Sequence, residues 1–204
     1  AESINNIAAT PYQLINLSTQ ICMHWKKLSS EYISNHQYFT ARKDVCEMPN
    51  GTIVPAYYVV EMPESVCAMA LTENNEVILV KQYRHPVEAS ILELPGGFVD
   101  KGETAETAVA RELQEETGYQ FSNFYCLGRT AANPGVLNNF TTLYLATGGK
   151  KVSEQQLDFN EEIEIKLFPL EEVRTMLMNN EIVQAMHSTC MFYGFEKLES
   201  LTKQ

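Results

Sequence analysis

Apolar residues recur at Leu14, Leu17, Ile21, Trp25, Leu28 and Tyr32, in steps of three and four that draw one stripe along a helix over residues 12–33. Thr10-Pro11 is a reasonable start signal for it. From Tyr38 to Val60 the texture changes to two extended runs around Pro49-Asn50-Gly51, a hairpin turn signal. "SVCAMALTENNEVILVKQYRH" repeats the theme, with two apolar runs about a polar turn. Strand character returns at "FYCLGRT" and "FTTLYLATG", and "EIEIKLFPL" alternates as a half-buried strand does. Helices are expected over 104–117, where Thr104 can cap the start and Gly118 the end, over 170–180, and in the tail from Ile182. Strands in runs with helices interposed predict a mixed α/β or α+β domain.

The length, 204 residues, suits one well-buried domain. With 45% hydrophobic and 20% charged residues the composition is that of an ordinary soluble domain. A formal net charge of -11 argues against binding nucleic acid through a broad basic surface, though not against a nucleotide. Cys22, Cys46, Cys67, Cys126 and Cys190 are odd in number and widely spaced, which reads as reduced thiols in a cytoplasmic protein. His24, His36, His85 and His187 are scattered, so no zinc site is expected. No segment has the roughly 18 consecutive apolar residues of a membrane span. No basic region followed by an apolar run marks a secretory signal at the start of the chain.

One stretch concentrates charge of a single sign. On a helix over 104–117, Glu112, Glu115 and Glu116 fall within about one third of the circumference. Like charges at i, i+4 destabilise a helix by a few tenths of a kcal/mol. At 6 Å and an effective dielectric of 20, each pair of converging carboxylates repels by about 2.8 kcal/mol. A divalent cation reverses that sign, and hard oxygen ligands suit magnesium or manganese. A solvated helix face would explain a lone Glu-Glu pair equally well. This pair belongs to a longer pattern: Gly97, five residues, Glu103, seven residues, then Arg111-Glu112-Leu113-x-Glu115-Glu116-x-Gly118-Tyr119.

That spacing resembles the signature of the Nudix hydrolases at all nine specified positions, seven of which demand one residue type. The resemblance implies an α/β/α sandwich with a mixed sheet, here extended by an N-terminal helix and β-hairpin (residues 1–60) ahead of the hydrolase domain (61–204). It implies a loop-helix-loop that binds Mg2+, with Mn2+ as a substitute, and cuts a nucleoside diphosphate linked to a further group. Glu112, Glu115 and Glu116 would be metal ligands, directly or through water. Glu103 and the Gly96 carbonyl would support or join the site. Arg111 would pair with carboxylates and hold the loop's shape, as its rigid charged fork allows.

Outside the signature, Gln82-Tyr83-Arg84, Glu93-Leu94-Pro95 and Pro134, sixteen residues beyond Gly118, are similar to the ADP-ribose pyrophosphatase branch of that family. The branch implies phosphate contact for Arg84, ribose or nucleoside contact for Glu93, a substrate-side position for Pro134, and a homodimer. It also implies a general base in the loop "DFNEEIEI", where Glu161 and Glu162 are the candidates and the register favours Glu161. The expected reaction is Mg-dependent hydrolysis of ADP-ribose to AMP and ribose 5-phosphate. The alternatives are GDP-mannose, NADH or a diadenosine polyphosphate as substrate, a non-catalytic ADP-ribose sensor, or an isomerase. The sensor would lack signature carboxylates, and here none is missing.

Overall fold

The computed structural model describes residues 24–36 and 39–203. The chain divides into two compact units that part between Val59 and Val60.

The first unit holds a three-stranded sheet in the order β1-β2-β3, from β1 (Lys26–His36), β2 (Phe39–Glu47) and β3 (Ile53–Glu61). The hairpin at Pro49-Asn50-Gly51 forms as the sequence predicts. Gly51 takes φ +81°, its N–H donates to the Met48 carbonyl at 2.9 Å, and Thr52 N–H donates to Asn50 Oδ1 at 3.0 Å. The helix expected over 12–33 is corrected from Lys26 onward, where the chain is strand; residues 12–23 lie outside the described residues. Leu28 and Tyr32 are four apart, a spacing that satisfies a period of two as well as one of 3.6. The antiparallel ladder from Lys26↔Glu47 to His36↔Phe39 decides between them. Within it, buried Asp44 accepts from Ser30 Oγ at 2.6 Å and from Arg42 Nε at 3.0 Å. Burial pushes the Asp44 pKa up, but the Ser30 and Arg42 hydrogen bonds outweigh it and hold the carboxyl below its usual range.

The second unit is built on β4 (Ser65–Thr72), β5 (Glu76–Arg84), β6 (Ala89–Glu93), β7 (Tyr119–Gln120), β8 (Asn123–Thr130), β9 (Thr141–Lys151) and β10 (Ile163–Pro169). The sheet runs β10-β5-β4-β9-β7, with β6 beside β5 and β8 beside β9. It is mixed: β4 and β9 are parallel, from Ser65↔Thr141 to Met69↔Leu145, and the other pairs are antiparallel. β4 lies in the middle and is covered on both faces, so its sequence is a continuous apolar run rather than an alternating one.

Alternate residues of the central strands feed two cores. Cys67, Met69, Leu143 and Leu145 pack with Val173 and Leu177 of α2 (Leu170–Met178) and with Cys190, Met191 and Phe195 of α3 (Ala185–Thr202). Val66, Ala68, Ala70, Tyr144 and Ala146 pack on the other face with Ala108, Val109 and Leu113 of α1 (Ala105–Thr117). The result is the expected α/β/α sandwich. No helix among the described residues is long and apolar enough to cross a membrane.

Candidate active site

α1 carries most of the acidic residues, and its sequence sets both ends. Thr104 Oγ1 accepts the Thr107 N–H at 3.1 Å. Gly118 ends the helix at φ +75°, its N–H on the Gln114 carbonyl. The apolar stripe of Ala108, Val109 and Leu113 turns toward the sheet, which leaves Glu112 and Glu115 at the edge of a cleft and carries Glu116 under it.

The loop after β6 brings Leu94-Pro95-Gly96-Gly97 across the start of β4. Ala68 N–H donates to the Pro95 carbonyl at 3.1 Å and Val66 N–H to the Gly97 carbonyl at 2.9 Å. Two glycines permit this approach. A Cβ on Gly96 would meet Cys67 Cα at 2.6 Å, and one on Gly97 would fall within the Glu112 carboxylate. Gly96 N–H donates to Glu116 Oε2 at 2.9 Å, which ties the loop to the helix.

Arg111 is the hub. Its Nε donates to Glu103 Oε1 at 3.1 Å and its Nη2 to Glu103 Oε2 and the Phe98 carbonyl, each at 3.1 Å. Its Nη1 reaches Glu112 at 2.9 Å and Glu115 at 3.0 Å. The Glu103 bonds first, and then Glu112 and Glu115, hold the guanidinium charged against the pull of burial. Glu103, bonded to Arg111, is held below the usual carboxylate range. Burial pushes Glu112 up. Burial, with the charges of Glu112 and Glu161 added, raises Glu116 to about 8 against the Gly96 N–H and Arg84. A carboxylate in that setting gains from a cation more than an exposed one does.

Across the cleft, Arg84 of β5 spends Nε and Nη2 on Glu93 Oε2, at 2.9 and 2.7 Å. Glu93 is 2% exposed, so the ion pair fixes the guanidinium from behind. The cavity between has a volume of about 650 Å³, enough for a nucleotide-sized ligand. Gly96, Arg84, Arg111, Glu112, Glu115, Glu116 and Glu161 line it. Glu103 stands behind Arg111 and Glu93 behind Arg84, while Glu162 and Pro134 do not line it. Pro134 lies in the turn that Val136 and Leu137 close onto the Asn133 carbonyl. Glu161 Oε2 accepts the Asp158 N–H at 3.0 Å, so the loop closes on itself.

Sequence reasoning passed over several residues of the wall: Ser65 and Thr141, whose hydroxyls pair at 2.8 Å, Asp100, Asp158, Gln184 and His187. Only the adjacency of Asp100 and Asp158 to the acidic loops was a signal. His187 comes from a helix that reads as core packing. It is 8% exposed, and burial first, then Arg84, lowers its pKa to about 3.

Among the described residues no three His, Cys, Asp or Glu side chains close on one point as a ready metal cage, because Arg111 draws Glu112 and Glu115 to itself. The acidic side of the cleft nonetheless offers hard oxygens, the carboxylates of Glu112, Glu115 and Glu116 with the Gly96 carbonyl, which fits magnesium or manganese and not a soft metal.

Known proteins resemble this chain in sequence and in fold. The model of the NUDIX domain matches residues 62–187, and that of the nucleoside diphosphate sugar hydrolase N-terminal domain matches residues 25–60. A methanol dehydrogenase activator from Bacillus methanolicus is 33% identical over 158 residues, 77% of this chain and 85% of that protein. An ADP-ribose pyrophosphatase from Bacillus subtilis (strain 168) is 30% identical over 175 residues, 82% of this chain and 94% of that protein. A solved ADP compounds hydrolase superposes with a TM-score of 0.77, covering 87% of this chain and 95% of that one. At 22% identity it speaks for the fold alone. The family match spans more than half of the sequence, and the chain belongs to the Nudix hydrolases.

Proposed function

We propose that the enzyme hydrolyses the pyrophosphate bond of ADP-ribose, with Mg2+, to AMP and ribose 5-phosphate. The observation that carries this reading is the cleft itself, where Glu112, Glu115 and Glu116 face Arg84 across a space of nucleotide size. The likeness to an ADP-ribose pyrophosphatase over most of both chains supports the choice of substrate.

Nudix enzymes generally use divalent metal ions. Glu112, Glu115, Glu116 and the Gly96 carbonyl would hold the ion here, and when bound it supplies charge neutralisation at phosphate oxygens and a more acidic water. Arg111 keeps Glu112 and Glu115 in register, the Gly96 N–H holds Glu116, and Glu103 keeps Arg111 in place. Arg84, braced by Glu93, meets phosphate charge from the other wall. Glu161 takes a proton from the attacking water. Its neighbour Glu162 does not line the cleft and has no part in this mechanism.

The test is product analysis on ADP-ribose, GDP-mannose, NADH and diadenosine polyphosphates, with and without magnesium. ADP-ribose should be cleaved fastest, and chelation should stop the reaction. Preference for another member of the panel would displace the substrate assignment. In the same assay Glu161→Gln should lower kcat by about 10² to 10⁴ with little change in KM, and Glu162→Gln should stay within a few-fold of the parent. Equal, small effects would remove Glu161 from the base role.

The enzyme's first unit supports a homodimer. Its sheet exposes the apolar side chains of Leu28, Tyr32, Ile33, Phe39, Ile53 and Tyr58, which a second copy would cover. Sedimentation that returned the mass of one 23.1 kDa chain would rule this out. The free thiols of Cys46, Cys67, Cys126 and Cys190 fit a cytoplasmic setting.

A further inference from the structure

His187 is bound on one side only. Leu94 N–H points at its Nδ1 from 3.1 Å. A ring nitrogen that accepts a hydrogen bond carries a lone pair, so the single proton of the neutral ring sits on Nε2. The tautomer is therefore set by the backbone. Among the described residues Nε2 has no hydrogen-bond acceptor, and His187 lines the cleft.

The position of the ring is equally constrained. Glu93 fixes Arg84, and the next residue, Leu94, fixes His187. Two consecutive residues thus hold two donors on one wall, on the approach to Gly96. The first turn of α3 offers no competing site, because Gln184 Oε1 already accepts the Met186 and His187 N–H groups, at 2.5 and 3.1 Å.

We propose that His187 is a second substrate-binding residue, whose Nε2–H, set beside Arg84 by Glu93 and Leu94, binds a phosphate oxygen of the diphosphate. This rests on the nucleoside diphosphate reading of the cleft. An arginine alone adds charge and leaves the phosphate free to turn. A neutral donor at a fixed angle selects one orientation without adding a second positive charge that would draw Glu116 away from its place. Burial favours the neutral form, in keeping with a donor whose protonation does not change over the working range of pH.

The test separates the ring's two edges. In His187→Asn the amide oxygen can replace Nδ1 toward Leu94, and the Nε2 donor is gone. In His187→Gln the amide nitrogen reaches the place of Nε2. KM for ADP-ribose and the inhibition constant of ADP should both rise about tenfold in His187→Asn, with kcat within a few-fold, and His187→Gln should recover part of the loss. ADP lacks the second sugar, so a rise in KM alone would put the contact on that sugar and overturn the proposal. Unchanged constants would overturn it as well. A wild-type chain that cleaves no nucleoside diphosphate would fail at the underlying reading, before any variant is compared. Should His187→Asn not fold, imidazole ¹⁵N spectra of the wild type decide: ADP must shift the Nε2–H resonance, and a ring protonated on Nδ1 would end the idea.

Discussion

Glu116→Gln should lower kcat about a thousandfold and leave the melting temperature of the metal-free chain unchanged or slightly higher. The side chain is 7% exposed and accepts the Gly96 N–H at 2.9 Å. Glutamine can accept the same bond through its amide oxygen, in the same volume. With its pKa raised to about 8 by burial, Glu116 is largely protonated at neutral pH when no cation is present. The neutral amide therefore costs the empty site almost nothing. As a metal ligand, the role proposed for it, Glu116 is needed charged, and such a ligand's contribution of several kcal/mol corresponds to about three powers of ten in rate. Loss of activity in a chain that melts normally would assign the loss to the ion. Turnover within tenfold of the parent would show that Glu116 is not a ligand.

Arg111→Ala should do the opposite to the fold. One guanidinium satisfies Glu103, Glu112, Glu115 and the Phe98 carbonyl, and its removal leaves the three carboxylates without their shared counter-charge. The Glu103 and Glu112 side chains are 12% and 15% exposed, so water replaces that charge poorly. Part of the repulsion is screened because Arg111 itself is 29% exposed. A loss of about 2–3 kcal/mol is expected, or roughly 5–10 °C in melting temperature for a chain of this size. Magnesium should restore some of it, since a cation supplies the missing charge at Glu112 and Glu115. Arg111→Lys should rescue little, because a point charge cannot bridge three carboxylates and a carbonyl at once. A scan in which Arg111→Ala melts with the parent would mean that the network does not stabilise the fold.

Much of this was legible in the sequence because it is local. α1 ends where Thr104 and Gly118 place its ends, and both hairpin turns sit on the residues that favour them. The acidic platform could be read for the same reason: three glutamates on one helical face are an arrangement of neighbours. What was not legible depends on distant partners. The stripe of Leu28 and Tyr32 reads as helix until β2 is laid beside it. β7, two residues long, exists only because β9 offers it a ladder. His187 looks like core packing within the helical tail, and it enters the cleft only through a bond to a residue 93 positions earlier. Pro134, singled out by resemblance, lies in a turn away from the cleft wall.

The parallel pair β4 and β9 carries α1 on one face and α3 on the other, and each helix brings its own residues to the cleft, Glu112, Glu115 and Glu116 from α1 and His187 from α3. Evolution can therefore edit these two contributions separately. Under the proposed reading of the cleft, changes on the α3 side would redirect which molecule is admitted, while the acidic helix would keep its geometry and the same kind of bond would break. A scaffold divided in this way acquires new preferences without having to reinvent its reaction.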